Sequence, residues 1–232
     1  MNRHRSGASE PVLRLASEGA QLFSGGAISI VGTLLDQLTD IVPGRAGVRL
    51  AGRAGLIESL NAAGAIGRIA ASLTGNDAVR PVRAVLFDKA DGVNWSLGWH
   101  QDRTICVQER IDVAGYGPWT TKAGLVHVEP PFELLARMIT LRVHLDDVPA
   151  TNAPLLVAPG SHRFGRIPIE EIPAIVDRCG VAVCLARAGD IWAYSTPIVH
   201  ASERSAQVGR RRVLQIDYAR DALPDGLSWR GI

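Results

Sequence analysis

The sequence predicts a mainly β domain preceded by helices, and three observations support this. Short β-branched runs recur along the segment 82–219. Gly, Pro, Asp and Asn separate these runs at short intervals, which leaves little room for the crossover helices that a parallel sheet needs. Residues 12–74 are rich in Ala, Leu, Ile and Gly and follow a helical pattern. We therefore expect a single domain, 1–232, in which an N-terminal helical region packs on a β sandwich or barrel.

The N-terminal region (12–74) contains one segment with a clear amphipathic pattern. Between Ala54 and Ser72, apolar residues recur at three- and four-residue spacing, as one buried helix face requires. Asn76-Asp77 is typical of a turn. The sequence therefore predicts one helix over 54–72 that ends before the β region.

The β region contains seven predicted strands. Their short connections favour antiparallel pairing. One helix is predicted among them, from Ile169 to Arg178. The stretch from Tyr116 to Pro131 is rich in Gly and Pro and is predicted to be a long loop or lid. The predicted strands are 82–87, 104–108, 138–145, 155–158, 181–186, 191–194 and 213–218.

Composition excludes several classes of partner. The formal net charge is only +2 and no basic stripe with interleaved aromatics is visible, so we expect no nucleic-acid partner. No secretory signal or apolar run of membrane-spanning length is visible, so we expect no membrane association. The three cysteines do not suggest a disulfide framework, which favours a reducing, cytoplasmic location. The oligomeric state stays open.

Trp99-His100-Gln101-Asp102 is the most informative fragment. In an extended strand, residues i and i+2 point to the same face, so His100 and Asp102 can present an imidazole nitrogen and a carboxylate oxygen to one point. One further imidazole would complete the facial triad of two histidines and one carboxylate that holds iron(II) and leaves positions open. A lone His-x-Asp often occurs by chance, and a hydrogen-bonded pair is the simpler interpretation of it.

A second segment supplies a candidate for the missing histidine. Residues 189–194 are typical of a turn followed by a strand. A second turn at Pro197 would place His200 on the next strand. Arg211 opens a later strand, and its guanidinium can form a bidentate pair with the distal carboxylate of a keto acid that chelates the metal. Ser202 shares a strand face with His200 and can add a hydroxyl donor.

Three consecutive arginines leave the choice of the carboxylate-binding residue to strand alternation. Arg210 and Arg212 share a face with apolar residues that must pack on helices, whereas Arg211 shares the other face with Gln215 and Asp217. Because the interior of a barrel near an active site tolerates polar residues, we expect Arg211 to point inward.

Seven short segments, spread in order over more than half of the chain, carry a resemblance to a known family. They are Trp99-His100-Gln101-Asp102, Leu145-Asp146-Asp147-Val148, Asn152-Ala153-Pro154-Leu155, Ala158-Pro159-Gly160-Ser161-His162, Gly189-Asp190, His200-Ala201-Ser202 and Gly209-Arg210-Arg211. In this combination the chain resembles the phytanoyl-CoA dioxygenase-like iron(II)/2-oxoglutarate-dependent oxygenases. Members of that family usually carry Asn-Gly-Pro-Leu where this chain has Ala153, a departure that concerns local backbone geometry.

The resemblance implies a double-stranded β-helix, also called a jelly-roll or cupin-like barrel, with the metal inside one end. It implies that His100, Asp102 and His200 bind Fe(II), and that Arg211 with Ser202 binds the cosubstrate 2-oxoglutarate. The implied enzyme is a dioxygenase that uses O₂ to hydroxylate an unactivated C–H bond of a small-molecule substrate, with release of succinate and CO₂.

Four further residues are candidates for the substrate pocket. Trp95 and Trp99 flank the metal motif, although aromatic residues beside a barrel mouth are more often packing residues. Lys122 and Arg142 are cationic residues that can face a substrate.

Other outcomes remain open beside hydroxylation. The same cofactors support desaturation, cyclisation or epimerisation, whereas halogenation is disfavoured by Asp102, since halogenases of this type carry a small residue there. The chain is alternatively a non-catalytic jelly-roll binding module that retains a metal for structure or sensing. Release of succinate from 2-oxoglutarate separates an enzyme from such a module.

Overall fold

The computed structural model describes residues 12–42, 46–90, 92–206 and 209–232. These residues contain short helices and antiparallel strands, with 3-10 turns at Ile28–Ile30, Ser161–Phe164 and Ile169–Glu171. The helices are α1 (Leu15–Glu18), α2 (Val31–Asp36), α3 (Ala54–Leu60), α4 (Gly67–Thr74), α5 (Phe132–Ala136) and α6 (Ile172–Cys179). The strands are β1 (Ala20–Phe23), β2 (Val48–Leu50), β3 (Arg80–Lys89), β4 (Leu97–His100), β5 (Ile105–Val107), β6 (Trp119–Lys122), β7 (Leu125–Val128), β8 (Ile139–His144), β9 (Leu155–Val157), β10 (Ala182–Cys184), β11 (Ile191–Ser195), β12 (His200–Ser202) and β13 (Arg211–Ala219).

The strands form three antiparallel sheets. The largest has six strands in the order β1-β11-β8-β13-β3-β2, and a second has four in the order β10-β9-β12-β4. The third sheet has the order β5-β7-β6 and packs through its own apolar cluster on the far ends of β3 and β13. Neighbouring strands in each sheet are often distant in the chain, as expected when antiparallel strands wind into a double-layered barrel.

The six-stranded sheet has two chemically different faces because side chains alternate along each strand. One face is apolar, with Leu141 and Leu214 among its fully buried residues, and it packs on helices α2 to α4. The opposite face carries polar residues such as Arg142 and Gln215 and looks toward the four-stranded sheet. The ring of Tyr194 on this face lies beside that of His200 of the second sheet, with the ring centroids 5.6 Å apart. The space between the two sheets is therefore the polar interior of the barrel.

The predicted strands of the β region are all strands in the structure, and the predicted helix at 169–178 is a 3-10 turn followed by α6. The stretch Tyr116 to Pro131, predicted to be a loop or lid, is instead largely the β6–β7 hairpin. Gly and Pro in this stretch lie in the connections, while the segment from Trp119 to Val128 supplies cross-strand pairs such as Trp119 with Val128 and Thr121 with Val126.

The N-terminal region (12–74) is not helical throughout, which corrects the sequence expectation. β1 pairs with β11 and β2 pairs with β3, so each closes one edge of the six-stranded sheet. Both strands are short and lie at sheet edges, where pairing with a single neighbouring strand is enough to hold the extended conformation. This pairing outweighs the helical pattern of the local sequence. The helices of the region pack on the sheet as expected.

The predicted helix over 54–72 is also two helices, α3 and α4, separated by a turn. Asn61 ends α3 with an extended backbone, and its side-chain oxygen accepts hydrogen bonds from the backbone N–H groups of Ala63 and Gly64 at 3.0 and 2.8 Å. A side chain that satisfies backbone donors in this way competes with helix propagation. No helix in the described part of the chain is long and apolar enough to cross a membrane.

Candidate functional site

Two histidines and one aspartate meet inside the barrel where the four-stranded sheet faces the six-stranded one. His100 ends β4 and lies directly opposite His200 of β12, with ring centroids 4.3 Å apart. Asp102 follows two residues after the end of β4. One ligand atom from each of these three side chains lies within 4.8 Å of the others. The predicted His-x-Asp pair and distal histidine are thus brought together.

The backbone fixes the orientation of both imidazoles. His100 Nδ1 lies 2.7 Å from the carbonyl oxygen of Gly98, and His200 Nδ1 lies 2.9 Å from that of Ile198. A carbonyl oxygen only accepts, so each Nδ1 carries the proton and each Nε2 keeps a free lone pair. Burial and the neighbouring His100 lower the pKa of His200, which favours the same neutral form. Histidines held in this way are oriented as metal ligands.

Asp102 is kept ionised by a buried arginine. Burial alone would raise its pKa, but Arg83 and the two imidazoles lower it. Arg83 Nη2 lies 3.4 Å from Asp102 Oδ2, and its Nε donates to Asp217 Oδ2 at 2.5 Å. Thr140 donates to the other oxygen of Asp217. An arginine shared between two carboxylates holds Asp102 as an anionic oxygen donor at the centre of the site.

A cavity of about 520 Å³ opens onto this triad. Its wall is built from both sheets, from the residues before β2 and from β6, and it is rich in cations. Among the described residues that line it, Asp102 is the only acid. The basic lining residues, apart from the two histidines, are Arg49, Arg83, Lys122, Arg142 and Arg211.

Arg211 is buried at one end of this cavity, with 2% of its surface exposed. It donates through Nη1 to the carbonyl oxygen of Ala153, and its Nε is buried without a partner among the described residues. Burial and Arg142 lower its pKa to about 9. Arg211 therefore presents to the cavity a guanidinium that no described carboxylate neutralises, at the inward-facing strand position that the sequence predicts.

Ser202 lies beside Arg211. Its hydroxyl is 3.5 Å from the same Ala153 carbonyl oxygen, and Ser202 lines the cavity. Ala153 itself has φ 48°, in the left-handed region that glycine adopts easily and alanine does not. Ala153 thus adopts a conformation that a glycine, the residue usual at this position of the motif, would adopt without strain.

Arg210 and Arg212 point away from the cavity. Arg210 forms a two-pronged ion pair with Asp88, and Arg212 forms one with Asp146 at 2.6 Å. Both arginines are partly exposed, at 41% and 24% of their side-chain surface. The alternation along β13 therefore separates Arg211 from its two neighbours.

Arg142 lies between the triad and Arg211, on the interior face of β8. It is 5% exposed, donates to Gln215 Oε1 at 3.0 Å and stacks over the ring of Phe87. Its Nε has no partner among the described residues. The next interior residue of β8, His144, has both ring nitrogens buried without a partner, and burial followed by Arg142 and Arg211 lowers its pKa to about 3.

The remaining substrate-pocket candidates divide in two. Trp95 and Lys122 line the cavity. Trp99, predicted to line it, instead packs on an apolar cluster that includes Ile167 and Val199. The reason is strand alternation, since His100 points into the barrel and its neighbour must point out.

Three cavity-associated residues were not singled out from the sequence. Arg83 and Lys89 lie on the interior face of β3, where they alternate with apolar residues that hide the pattern. Lys89 is 2% exposed and its ammonium contacts Ser202 Oγ and the carbonyl oxygens of Trp95 and Glu203. Arg49 lies on β2, a strand that the sequence analysis did not predict, so no periodicity signalled its direction.

Comparison with known proteins finds a family and a fold. A family model described as phytanoyl-CoA dioxygenase (PhyH) matches residues 64–213. No curated protein sequence matches the chain.

Several solved structures are similar to this one at low sequence identity. AviO1 from Streptomyces viridochromogenes Tue57 has 21% identity and a TM-score of 0.58, with 91% of this chain and 94% of that chain covered. EctD from S. alaskensis, solved in its apoform, has 16% identity and a TM-score of 0.65, with 99% and 84% covered. HygX from Streptomyces hygroscopicus, solved with nickel, 2-oxoglutarate and hygromycin B bound, has 15% identity and a TM-score of 0.59, with 88% and 84% covered. These likenesses confirm the predicted jelly-roll fold.

Proposed function

Since the chain belongs to the phytanoyl-CoA dioxygenase (PhyH) family of iron(II)- and 2-oxoglutarate-dependent enzymes, we propose that it hydroxylates an unactivated C–H bond of a small organic substrate. The reaction releases succinate and CO₂. The observation that carries the proposal is one cavity that joins a two-histidine, one-carboxylate cluster to a buried arginine with no ion-pair partner among the described residues.

The donor set fits iron(II). His100 and His200 would each supply Nε2, because each Nδ1 is engaged by a backbone carbonyl, and Asp102 would supply one carboxylate oxygen. Three ligands of this kind on one side of a metal leave the other side open, as oxygenases of this class require. Held by these residues with 2-oxoglutarate, iron(II) would supply the O₂ chemistry that yields succinate and CO₂ and makes one oxygen atom available to the substrate.

Arg211 and Ser202 would hold the distal carboxylate of 2-oxoglutarate. Both already contact the carbonyl oxygen of Ala153, so the guanidinium is fixed before the dicarboxylate arrives. A charged hydrogen bond in a buried pocket contributes roughly 1.5–3 kcal/mol, more than an exposed pair would. Arg211 Nε has no hydrogen-bond acceptor among the described residues, and an anionic ligand at this end would supply one.

Aromatic side chains in the cavity wall would limit access of water to the reacting atoms. Phe87 and Trp95 line it, and their ring centroids lie 6.4 Å apart. Lys89 connects Trp95 to the chain just after β12, because its ammonium donates to the carbonyl oxygens of Trp95 and Glu203. A dry, fixed wall protects a reactive oxidant from side reactions.

The test is turnover of 2-oxoglutarate under ¹⁸O₂ with iron(II) and a reductant, in the presence of a panel of small organic compounds. We expect ¹⁸O in succinate, and a product heavier by one ¹⁸O atom for a compound that is a substrate. Zinc(II) should bind without supporting turnover, because it has no redox chemistry.

The outcomes separate the alternatives. Loss of two hydrogens from the compound would indicate desaturation or cyclisation, and inversion without a mass change would indicate epimerisation. Metal and 2-oxoglutarate binding without any succinate would indicate a binding module, and equal turnover with zinc would exclude an oxygenase.

A further inference from the structure

Arg49 lies in the wall of the cavity that contains the triad, and no described residue forms an ion pair or hydrogen bond with its side chain. It lies in the middle of β2, opposite Val85 of β3, and lines the cavity together with Val85 and Phe87. Its Nε is fully buried, and among the described residues no atom accepts a hydrogen bond from it. Burying a guanidinium N–H without an acceptor is costly, so a structural role alone does not account for this arrangement.

The surroundings of Arg49 add positive charge. Burial and the nearby Arg83 lower the pKa of Arg49, and among the described residues no carboxylate forms an ion pair with it. Arg83 itself is engaged by Asp217 and Asp102. Lys122 lines the same cavity from the β6–β7 hairpin and has no ion pair within the described residues either. Within the described parts of the chain, two cations at the wall thus lack a counter-charge.

The cosubstrate carboxylate that Arg211 would hold does not supply that counter-charge. Arg49 and Arg211 pair with Val85 and Lys89 of β3, and they lie on strands on either side of it. Four residues along a strand and two strand spacings across the sheet separate their backbones by roughly 16 Å. A 2-oxoglutarate anchored by Arg211 and chelating the metal has its two carboxylates at the Arg211 end and at the triad.

We propose that the substrate of this enzyme carries an acidic oxyanion, a carboxylate or a phosphate, which is bound by Arg49 with Lys122. This rests on the proposed function only in naming the bound anion as the substrate. The anion site itself is a property of Arg49, Lys122 and the cavity. Arg49 pairs with the acid group in the partly desolvated wall, where charge-assisted hydrogen bonds are strong, and Lys122 supplies a mobile charge at the rim.

The experiment measures binding of three small probes: benzoate, phenyl phosphate and the neutral isostere benzamide. The protein is loaded with cobalt(II) and saturating 2-oxoglutarate, and each probe is titrated while its proton NMR lines are followed. Paramagnetic broadening by cobalt(II) reports that a probe lies inside the metal-containing cavity. We expect benzoate or phenyl phosphate to broaden and saturate, and the preferred one identifies the acid group, while benzamide binds at least about tenfold more weakly.

Variants tie the probe to the residues. Arg49→Gln should weaken binding of the preferred anion about tenfold or more, and Lys122→Gln about two- to threefold, since an exposed charge contributes less. The affinity for 2-oxoglutarate should not change in either variant, which also shows that they fold. Arg220→Gln, which removes an exposed arginine outside the cavity, is the matched control and should bind the anion as the wild type does.

Several results would overturn the anion site. They are equal binding of benzamide, wild-type anion binding by Arg49→Gln, displacement of 2-oxoglutarate by the probes, or no binding of either anion at millimolar concentration. Failure of the proposed function looks different, because 2-oxoglutarate would then neither bind nor yield succinate. Calorimetric titration of the anions into metal-free protein would still report on Arg49 in that case.

Discussion

The two ends of the cavity are built in different ways. At the Arg211 end, the side chains come from β13, β12 and β3, and Arg211 and Lys89 are each 2% exposed with fixed backbone partners. At the Arg49 end, the side chains come from β2 and β6, which are edge strands of their sheets, and Lys122 is exposed. The first end is a closed pocket of fixed shape, and the second is an open wall.

The difference follows from what each end binds under our proposals. The cosubstrate is always the same molecule, so rigid donors on long strands can bind it. Such preorganisation reduces the free-energy cost of binding. A substrate that must enter and leave is served by a rim with fewer fixed contacts. The triad lies between the two ends, so under our proposals it is close to both the cosubstrate and the substrate.

The largest effect is expected at the triad. Asp102→Ala removes the only anionic ligand and leaves two neutral imidazoles, so iron(II) affinity should fall by about a hundredfold or more and turnover should be lost. It also leaves Arg83 with Asp217 alone. Metal content after dialysis and calorimetric titration measure the effect. Asp112→Ala, at an aspartate whose side chain is 77% exposed and paired with Arg110, is the control and should change neither. Normal hydroxylation by Asp102→Ala would remove the triad from the proposal.

The next effect tests the closed end alone. Arg211→Ala should raise the KM for 2-oxoglutarate by about tenfold to several hundredfold, from loss of roughly 1.4–3.5 kcal/mol of buried charged contacts. Arg211→Lys should only partly rescue, because an ammonium cannot make the two-pronged contact. Steady-state kinetics with saturating substrate give these values.

The neighbours of Arg211 are its matched controls. Arg210→Ala and Arg212→Ala break ion pairs with Asp88 and Asp146 outside the cavity, so each should change this KM by less than about threefold. A larger sensitivity at either position than at Arg211 would assign the carboxylate to another side chain.

A smaller effect concerns protons at the closed end. Burial, then Arg211 and Arg142, lower the pKa of Lys89 to about 7. A dicarboxylate bound beside it favours the ammonium form and raises this pKa, so 2-oxoglutarate binding should take up about half a proton at pH 7. Affinity should then fall as the pH rises above 7, because the free protein has lost that proton. Calorimetry in buffers of different ionisation enthalpy measures the uptake.

Lys89→Met should abolish this proton uptake while the protein still binds iron(II). Lys122→Met, at the open end, should leave it unchanged, which makes the two lysines a direct comparison of the two ends. Undiminished uptake in Lys89→Met would mean that another group titrates.

The smallest effect is on stability. Ala153 adopts φ 48°, so Ala153→Gly should relieve left-handed strain of about 1–2 kcal/mol and lose part of that gain to the greater freedom of glycine in the unfolded chain. We expect a net stabilisation of about 0.5–1 kcal/mol in denaturant unfolding. Ala182→Gly, in the extended strand β10, should destabilise by a similar amount. A loss of stability in Ala153→Gly would show that the methyl group packs favourably.

How much the sequence could predict also differs between the two ends. The triad, Arg211 and Ser202 lie in short motifs on strands or, for Asp102, two residues beyond one, so their meeting was predictable from periodicity and resemblance. Arg49 was not, because β2 is three residues long and gains its strand conformation only by pairing with β3. Trp99 was misplaced because it was grouped by proximity in sequence, although strand alternation turns it away from His100.

The position of β2 and β6 at sheet edges bears on how such an enzyme changes over evolution or in engineering. Each has a single neighbouring strand, so substitutions or insertions there disturb one ladder of hydrogen bonds and leave the pairings among the other strands intact. Selectivity for new compounds can therefore be explored at positions such as 49 and 122 without redesigning the oxygen chemistry. Libraries confined to these two strands should retain folded, iron-binding members far more often than libraries of equal size on β3 and β13.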